Sequence, residues 1–276
     1  MALQRCCLLH IILCICIVMN LIMTVYCGPD TANKTKQAKP KRQPNNLRQS
    51  PTSKNVNTGA AKCGKEAYRE MDGMVAQYSS SNDRFPESIK ELQARCLKRK
   101  EVLPKMEDLK NRCMDGLAKR VVAVVIYSMK RQRKIMCRKK PNKRMLEMAG
   151  AGKCINSFRP AAQNCVEEAM DHVIGIRNST DNKMKIPFLC CTFVKMKACI
   201  LETGHRSKQC SEEHLSLLVR QSEQVSNGPM NMACGDYNEE SDKCDKIQVP
   251  RRLANETLPK SFVMPMIDLM ESLGAE

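Results

Sequence analysis

The side chains best able to do chemistry in this chain are its cysteines, its few histidines and a run of acids near residue 240. Cys190 and Cys191 are adjacent. In a helix, a C-C-x-x-H-x-x-C pattern would hold a His as the general base that activates water. Here the His position is Val194 and the last Cys position is Lys197, so the base is missing. Asp236, Asn238, Glu240 and Asp242 alternate like the first ligands of an EF-hand loop. The glycine position of such a loop is Ser241, however, and its closing Glu position is Ile247. A solvated acidic loop closed by Cys234 and Cys244 fits these residues better than a calcium site. Zinc requires His or free thiolate, and outside the first 27 residues the histidines are His172, His205 and His214. Asp171-His172 has no nucleophile motif near it, and neither G-x-S-x-G nor a phosphate loop occurs. The expectation is a protein that is not an enzyme and uses no cofactor or metal.

The charge pattern says more. The chain carries 46 Lys+Arg against 29 Asp+Glu. Residues 98–144 hold 17 basic and four acidic side chains, and residues 28–62 hold eight basic and one acidic. An excess this local is the condition for an electrostatic binding face. Its centre is Lys130, Arg131, Arg133, Lys134, Arg138, Lys139, Lys140, Lys143 and Arg144, clustered as in heparin-binding segments. Nucleic acid is disfavoured as a partner because no base-stacking aromatics are interleaved with these cations, and the chain has no Trp and only five Phe. The bland alternative is a solvated basic helix face partly neutralised by the acids at 236–245.

The elements that would hold such a face begin with the compartment. Arg5 precedes a nineteen-residue apolar run from Leu8 to Tyr26, and Val25 and Cys27 suit the −3 and −1 positions of a signal peptidase site. Residues 1–27 therefore read as a signal peptide cut before Gly28. The rival is an uncleaved anchor, but the basic tract after it (Lys34, Lys36, Lys39, Lys41, Arg42) would keep the cysteines in the cytosol. After cleavage no stable membrane span is expected. Seventeen cysteines in 276 residues weigh against a reducing compartment. Twelve lie beyond the leader: Cys63, Cys96, Cys113, Cys137, Cys154, Cys165, Cys190, Cys191, Cys199, Cys210, Cys234 and Cys244. Twelve allows six disulfides, with connectivity open. Asn33, Asn178 and Asn255 head N-x-[ST] sequons. The chain reads as secreted and glycosylated.

Residues 28–62, with four prolines and no aromatic residue, read as a disordered basic linker. Within it, Lys39-Pro-Lys41-Arg42 resembles a convertase site that would release a short peptide. Residues 63–247 read as an all-α, disulfide-stapled domain. Met106, Leu109, Cys113, Leu117, Val121, Val124 and Ser128 step by three or four, so one helix face is expected to run through them, widened by Val122, Ile126 and Met129. Cys154, Phe158, Ala162, Cys165, Ala169, Val173 and Ile176 repeat the spacing. A third helix is placed after Pro187, with Cys191 and Cys199 roughly on one face. A fourth, capped by Ser211, runs to about Gln224 before Gly228-Pro229. Residues 248–276 form a linker and a short amphipathic tail, Phe262 to Leu273, expected to dock on the domain.

Gly116-Leu-Ala-Lys-Arg-Val121, Lys185-Ile-Pro-Phe-Leu-Cys-Cys191 and Cys234-Gly-Asp-Tyr-Asn-Glu-Glu-Ser-Asp-Lys-Cys244 resemble a group of uncharacterised secreted arthropod proteins. That group is cysteine-rich and helical, and loosely similar to haemolymph glycoproteins. The resemblance covers about Cys63 to Ile247 and implies an extracellular α domain, with no activity to carry over. The expected function is binding to anionic polysaccharide or a membrane or microbial surface. The alternative is a carrier enclosing a lipid or other apolar ligand in a Met- and Leu-rich pocket.

Overall fold

The computed structural model describes residues 63–79, 84–221 and 234–274. The leader, the basic linker and Asn33 lie outside them, as do Gln224 and Gly228-Pro229. Among the described residues every regular element is a helix. These are α1 (Gly64–Ser79), α2 (Ile89–Cys113), α3 (Gly116–Met136), α4 (Lys143–Gly150), α5 (Gly152–Asn178), α6 (Asn182–His205), α7 (212–221, its described part), a 3₁₀ turn (Asp242–Cys244) and α8 (Val263–Gly274).

Local chemistry sets the boundaries. Ser88 caps α2 by accepting from the Glu91 amide, and the Glu91 carboxylate accepts from the Glu87 amide in turn. Asp181 caps α6, its Oδ1 accepting from the amides of Lys183 and Met184. That helix therefore begins five residues before Pro187 rather than after it. The proline sits in the second turn, where it removes one backbone donor from the ladder. Ser211 accepts from the His214 amide at the start of α7, as its cap position requires.

The continuous face expected from Met106 to Ser128 is broken. Met114 and Asp115 are extended, and Gly116 has φ +47°, a left-handed conformation that a residue with a Cβ adopts at a cost. The turn resets the helical phase. Beyond it α3 buries Ala118, Val121, Val122, Val125, Ile126 and Met129, leaving Leu117, Val124 and Ser128 half-buried. In α5 all seven residues of the expected stripe are buried.

Six disulfides close the fold: Cys63–Cys113, Cys96–Cys137, Cys154–Cys210, Cys165–Cys199, Cys190–Cys234 and Cys191–Cys244. Cys234 and Cys244 are therefore not partners. Each bonds one of the two adjacent cysteines of α6, which pins the acidic loop to the helix at both ends. The first two bridges lie within residues 63–137 and the other four within 154–244. No bridge joins the first group of helices, α1–α3, to the second, α5–α7.

The tail helix does that. α8 packs on α5, α3 and α1, and Phe262, Val263, Met266, Ile267 and Leu269 are all 0% exposed. Its entry is fixed by Asp72 of α1, which accepts from the Lys260 amide at 2.7 Å and the Ser261 hydroxyl at 2.5 Å. The preceding connection lies against α5. A Cβ on Gly175 would come within 2.5 Å of the Pro250 and Arg251 backbone. Arg252 pairs with Asp171 at 2.7 Å, and Arg177 with Glu256 and Asp268.

Phe262→Ala should cost about 3–5 kcal/mol in denaturant unfolding, the range for a large buried aromatic, with all six disulfides still formed in a non-reduced peptide map. Burial pushes the Asp72 carboxyl up, against its hydrogen bonds from Ser261 and Lys260. The folded state then holds this proton more tightly than the unfolded chain does. The stabilisation so gained is complete below the unfolded pKa and is lost as pH rises through the folded one. Relative to Asp72→Asn, the native protein should therefore gain stability on acidification toward pH 4, read as the difference between the two melting temperatures across a pH series.

Candidate anion-binding surface

α3 turns one stripe to solvent: Arg120, Tyr127, Lys130, Arg131 and Lys134, spaced seven, three, one and three residues apart. Three contacts set its antiparallel register against α2. The Lys130 ammonium meets the Glu107 carboxylate at 2.6 Å, Cys96 is bonded to Cys137, and the Gln93 amide donates to the Lys139 carbonyl at 3.3 Å. Asn142 then folds the chain back. Its Oδ1 accepts from the Met145 amide to cap α4, and its Nδ2 donates to the Ile135 carbonyl at the end of α3. The basic loop 138–141 is thus held at both ends, by a covalent bond and by a side chain that bonds two helices.

Lys130, Arg131, Lys134, Arg138, Lys139, Lys140 and Lys143 are exposed. Arg144 is half-buried, and burial lowers its guanidinium pKa. Glu147 opposes that shift while Arg131 adds to it. Arg131 of α3 and Arg144 of α4 are thus near enough to repel each other. Arg133 is turned inward instead. It is half-buried near Tyr78, whose hydroxyl burial pushes up while Arg99 and Arg133 pull it back. Within α3, Arg133 is set apart from Lys130, Arg131 and Lys134 only by helical phase. Arg120, with Tyr127 among the cations, was not singled out in the sequence. The seven-residue step from Tyr127 to Lys134 is the signal that finds the aromatic.

The acids at 236–245 do not neutralise this face. Asp236 pairs with Lys243, Asp242 with Lys246 and Glu239 with Lys197. Asn238 accepts from the Glu240 amide, so Asp236, Asn238 and Asp242 are each engaged by near neighbours in sequence. Among the described residues, no ion pair reaches Arg131, Lys134, Arg138, Lys139 or Lys140, and no group of three or more His, Cys, Asp or Glu gathers as a metal would need. Asp171 is held by Arg251 and Arg252, and His172 Nδ1 lies 3.0 Å from the Pro250 carbonyl, so both serve the connection to α8. Met71, Met106, Met145 and Met266 are 0% exposed.

The two described sequons come together at one corner. Asn178 ends α5, where its Nδ2 donates to Glu256 at 2.9 Å, and Asn255 is exposed in the neighbouring turn. Among the described residues, no helix is long and apolar enough to cross a membrane. Comparison with protein families, curated proteins and solved structures finds no match to this chain.

Replacing both Cys96 and Cys137 by Ser should lower stability by about 2–4 kcal/mol and release the 137–142 segment from α2. Hydrogen exchange should then rise at residues 138–142 well before it rises in α5.

Proposed function

We propose that this chain is a secreted glycoprotein that binds anionic partners, polysaccharide or a membrane or microbial surface, and performs no catalysis. The binding surface is the exposed face of α3, the 138–141 loop and the start of α4. The observation that carries this reading is a group of cations on a fixed backbone with no neutralising acids. Arg131 and Lys134 project from α3, and Arg138, Lys139 and Lys140 from the loop after it, which disulfide Cys96–Cys137 holds in place; among the described residues no ion pair reaches these five. Unpaired like charges at close spacing repel one another, and an anionic partner relieves that repulsion. Six disulfides fit an oxidising, extracellular setting. The apolar leader and the sequons at Asn33, Asn178 and Asn255 support export of the chain.

Heparin chromatography tests the reading with matched variants. The native chain should be retained and then released by salt, because counter-ions screen exposed charges. Lys134→Glu/Lys139→Glu/Lys140→Glu should elute at clearly lower salt. Lys183→Glu/Lys195→Glu/Lys208→Glu makes the same change in net charge on exposed sites of α6 and the turn after it, and should elute near the native position. Equal shifts in the two variants, or none in the first, would refute a localised binding face.

A further inference from the structure

We propose that the outward face of the α2–α3 pair docks on an anionic phospholipid bilayer, its cations meeting the headgroups while Leu97 and Tyr127 enter the interfacial layer. This rests on the anion-binding reading above and names one partner for it.

The geometry comes from the register of the two helices. On α2, Gln93, Cys96 and Glu107 line the edge that faces α3, as the contacts to Lys139, Cys137 and Lys130 require, and Lys100, seven residues before Glu107, shares that edge by helical phase. Leu97 is one residue further round, on the solvent side of that edge, and is 70% exposed. Tyr127 stands on the solvent stripe of α3 and is 66% exposed. Leu97 is level with the end of α3, because its neighbour Cys96 is bonded to Cys137. At 1.5 Å rise per residue, Tyr127 and Leu97 are therefore about 14 Å apart along the pair. Lys100, Lys130, Arg131 and Lys134 fall between them. Two apolar side chains thus bracket a cationic stripe on one face.

Charge alone does not distinguish a sulfated polysaccharide from a lipid headgroup. The apolar pair does. A polysaccharide chain gives Leu97 nothing to bury against, whereas the boundary between headgroups and acyl chains accepts a Leu and favours the amphipathic ring of a Tyr. Basic residues beside an anionic leaflet add attraction that salt weakens. The acids of the face do little to oppose it: Glu107 is neutralised by Lys130 and Asp108 by Arg112, leaving Glu101 as the unpaired carboxylate next to Leu97 on α2.

The chain contains no Trp, so Leu97→Trp and Tyr127→Trp each install a single fluorescent reporter. The full chain is titrated with phosphatidylcholine vesicles, with and without phosphatidylglycerol, and run in parallel on heparin. Both reporters should shift to the blue on the anionic vesicles and stay put on the neutral ones. Leu97→Ser/Tyr127→Ser should weaken sedimentation with anionic vesicles by about tenfold, the scale of burying one or two such side chains, with no change in heparin elution. Both positions are exposed, so the variants should fold, and circular dichroism checks that they do. Unshifted reporters, or a double variant that sediments like the native chain, would overturn bilayer docking while leaving the anion-binding reading intact. Retention on heparin without sedimentation would do the same and point to polysaccharide. Equal binding to neutral vesicles would remove the cations from the account, and binding to neither vesicles nor heparin would overturn both proposals.

Discussion

The burial of α8 between α1, α3 and α5 is the contact on which the assembly of this protein depends. Among the described residues every disulfide closes within 63–137 or within 154–244, so covalent bonds hold each group together without joining them. Both groups contribute side chains to the core around Phe262, Met266, Ile267 and Leu269. This helix reaches back to α1, the first of the described helices. Its contacts therefore span nearly the whole described sequence, as the Asp72–Ser261 bond across 189 residues illustrates. Such long-range closure is slow to find and costly in chain entropy, and the disulfides offset part of that cost by restricting the unfolded chain.

The composition of the core explains why stapling is needed. With no Trp and five Phe, the interior is filled by Met, Val, Leu and Ile. Methionine adapts to irregular gaps, and for the same reason it specifies a unique packing weakly. Bridges between facing helix stripes, such as Cys165–Cys199 from α5 to α6, fix the register that soft side chains leave loose. The same device supports the charged side of the molecule. A helix pair rich in lysine and arginine repels itself, and Cys96–Cys137 with the Lys130–Glu107 contact holds α3 and the basic loop against α2 in spite of that repulsion.

How far the sequence could be read follows from these constraints. The α5 stripe was legible because one uninterrupted helix keeps its phase from Cys154 to Ile176, and each of those residues is buried. The path from Met106 to Ser128 was misread because three residues of non-helical backbone at 114–116 restart the phase, and a list of apolar spacings does not record a turn. The start of α6 was placed too late because Pro187 was taken as a boundary, when a proline in the second turn is tolerated once Asp181 has capped the end. The docking of Phe262 to Leu273 was legible from its apolar face, although its place as a link between two helix groups, beside the bonds of Asn156 to Phe85 and Glu87, was not. Which cysteine bonds which was beyond the spacing. The pairing of adjacent Cys190 and Cys191 with opposite ends of one loop depends on where that loop crosses α6.

The candidate surface shows the same division. The sequence showed where cations are dense, because counting needs no geometry. Whether they act together depends on what neutralises them, and that is a property of the fold. Two arrangements were compatible with the counts: acids at 236–245 folded over the basic helix, or acids satisfied elsewhere. The double attachment of that loop to α6 decides between them, since it holds Asp236, Glu239 and Asp242 beside Lys243, Lys197 and Lys246. An ion pair formed within a short pinned loop requires little further ordering, whereas one formed across the molecule would have to immobilise long side chains on both partners. The disulfides that fix the acidic loop thus favour these local pairs, and among the described residues no ion pair joins the loop to the cations of α3 and α4.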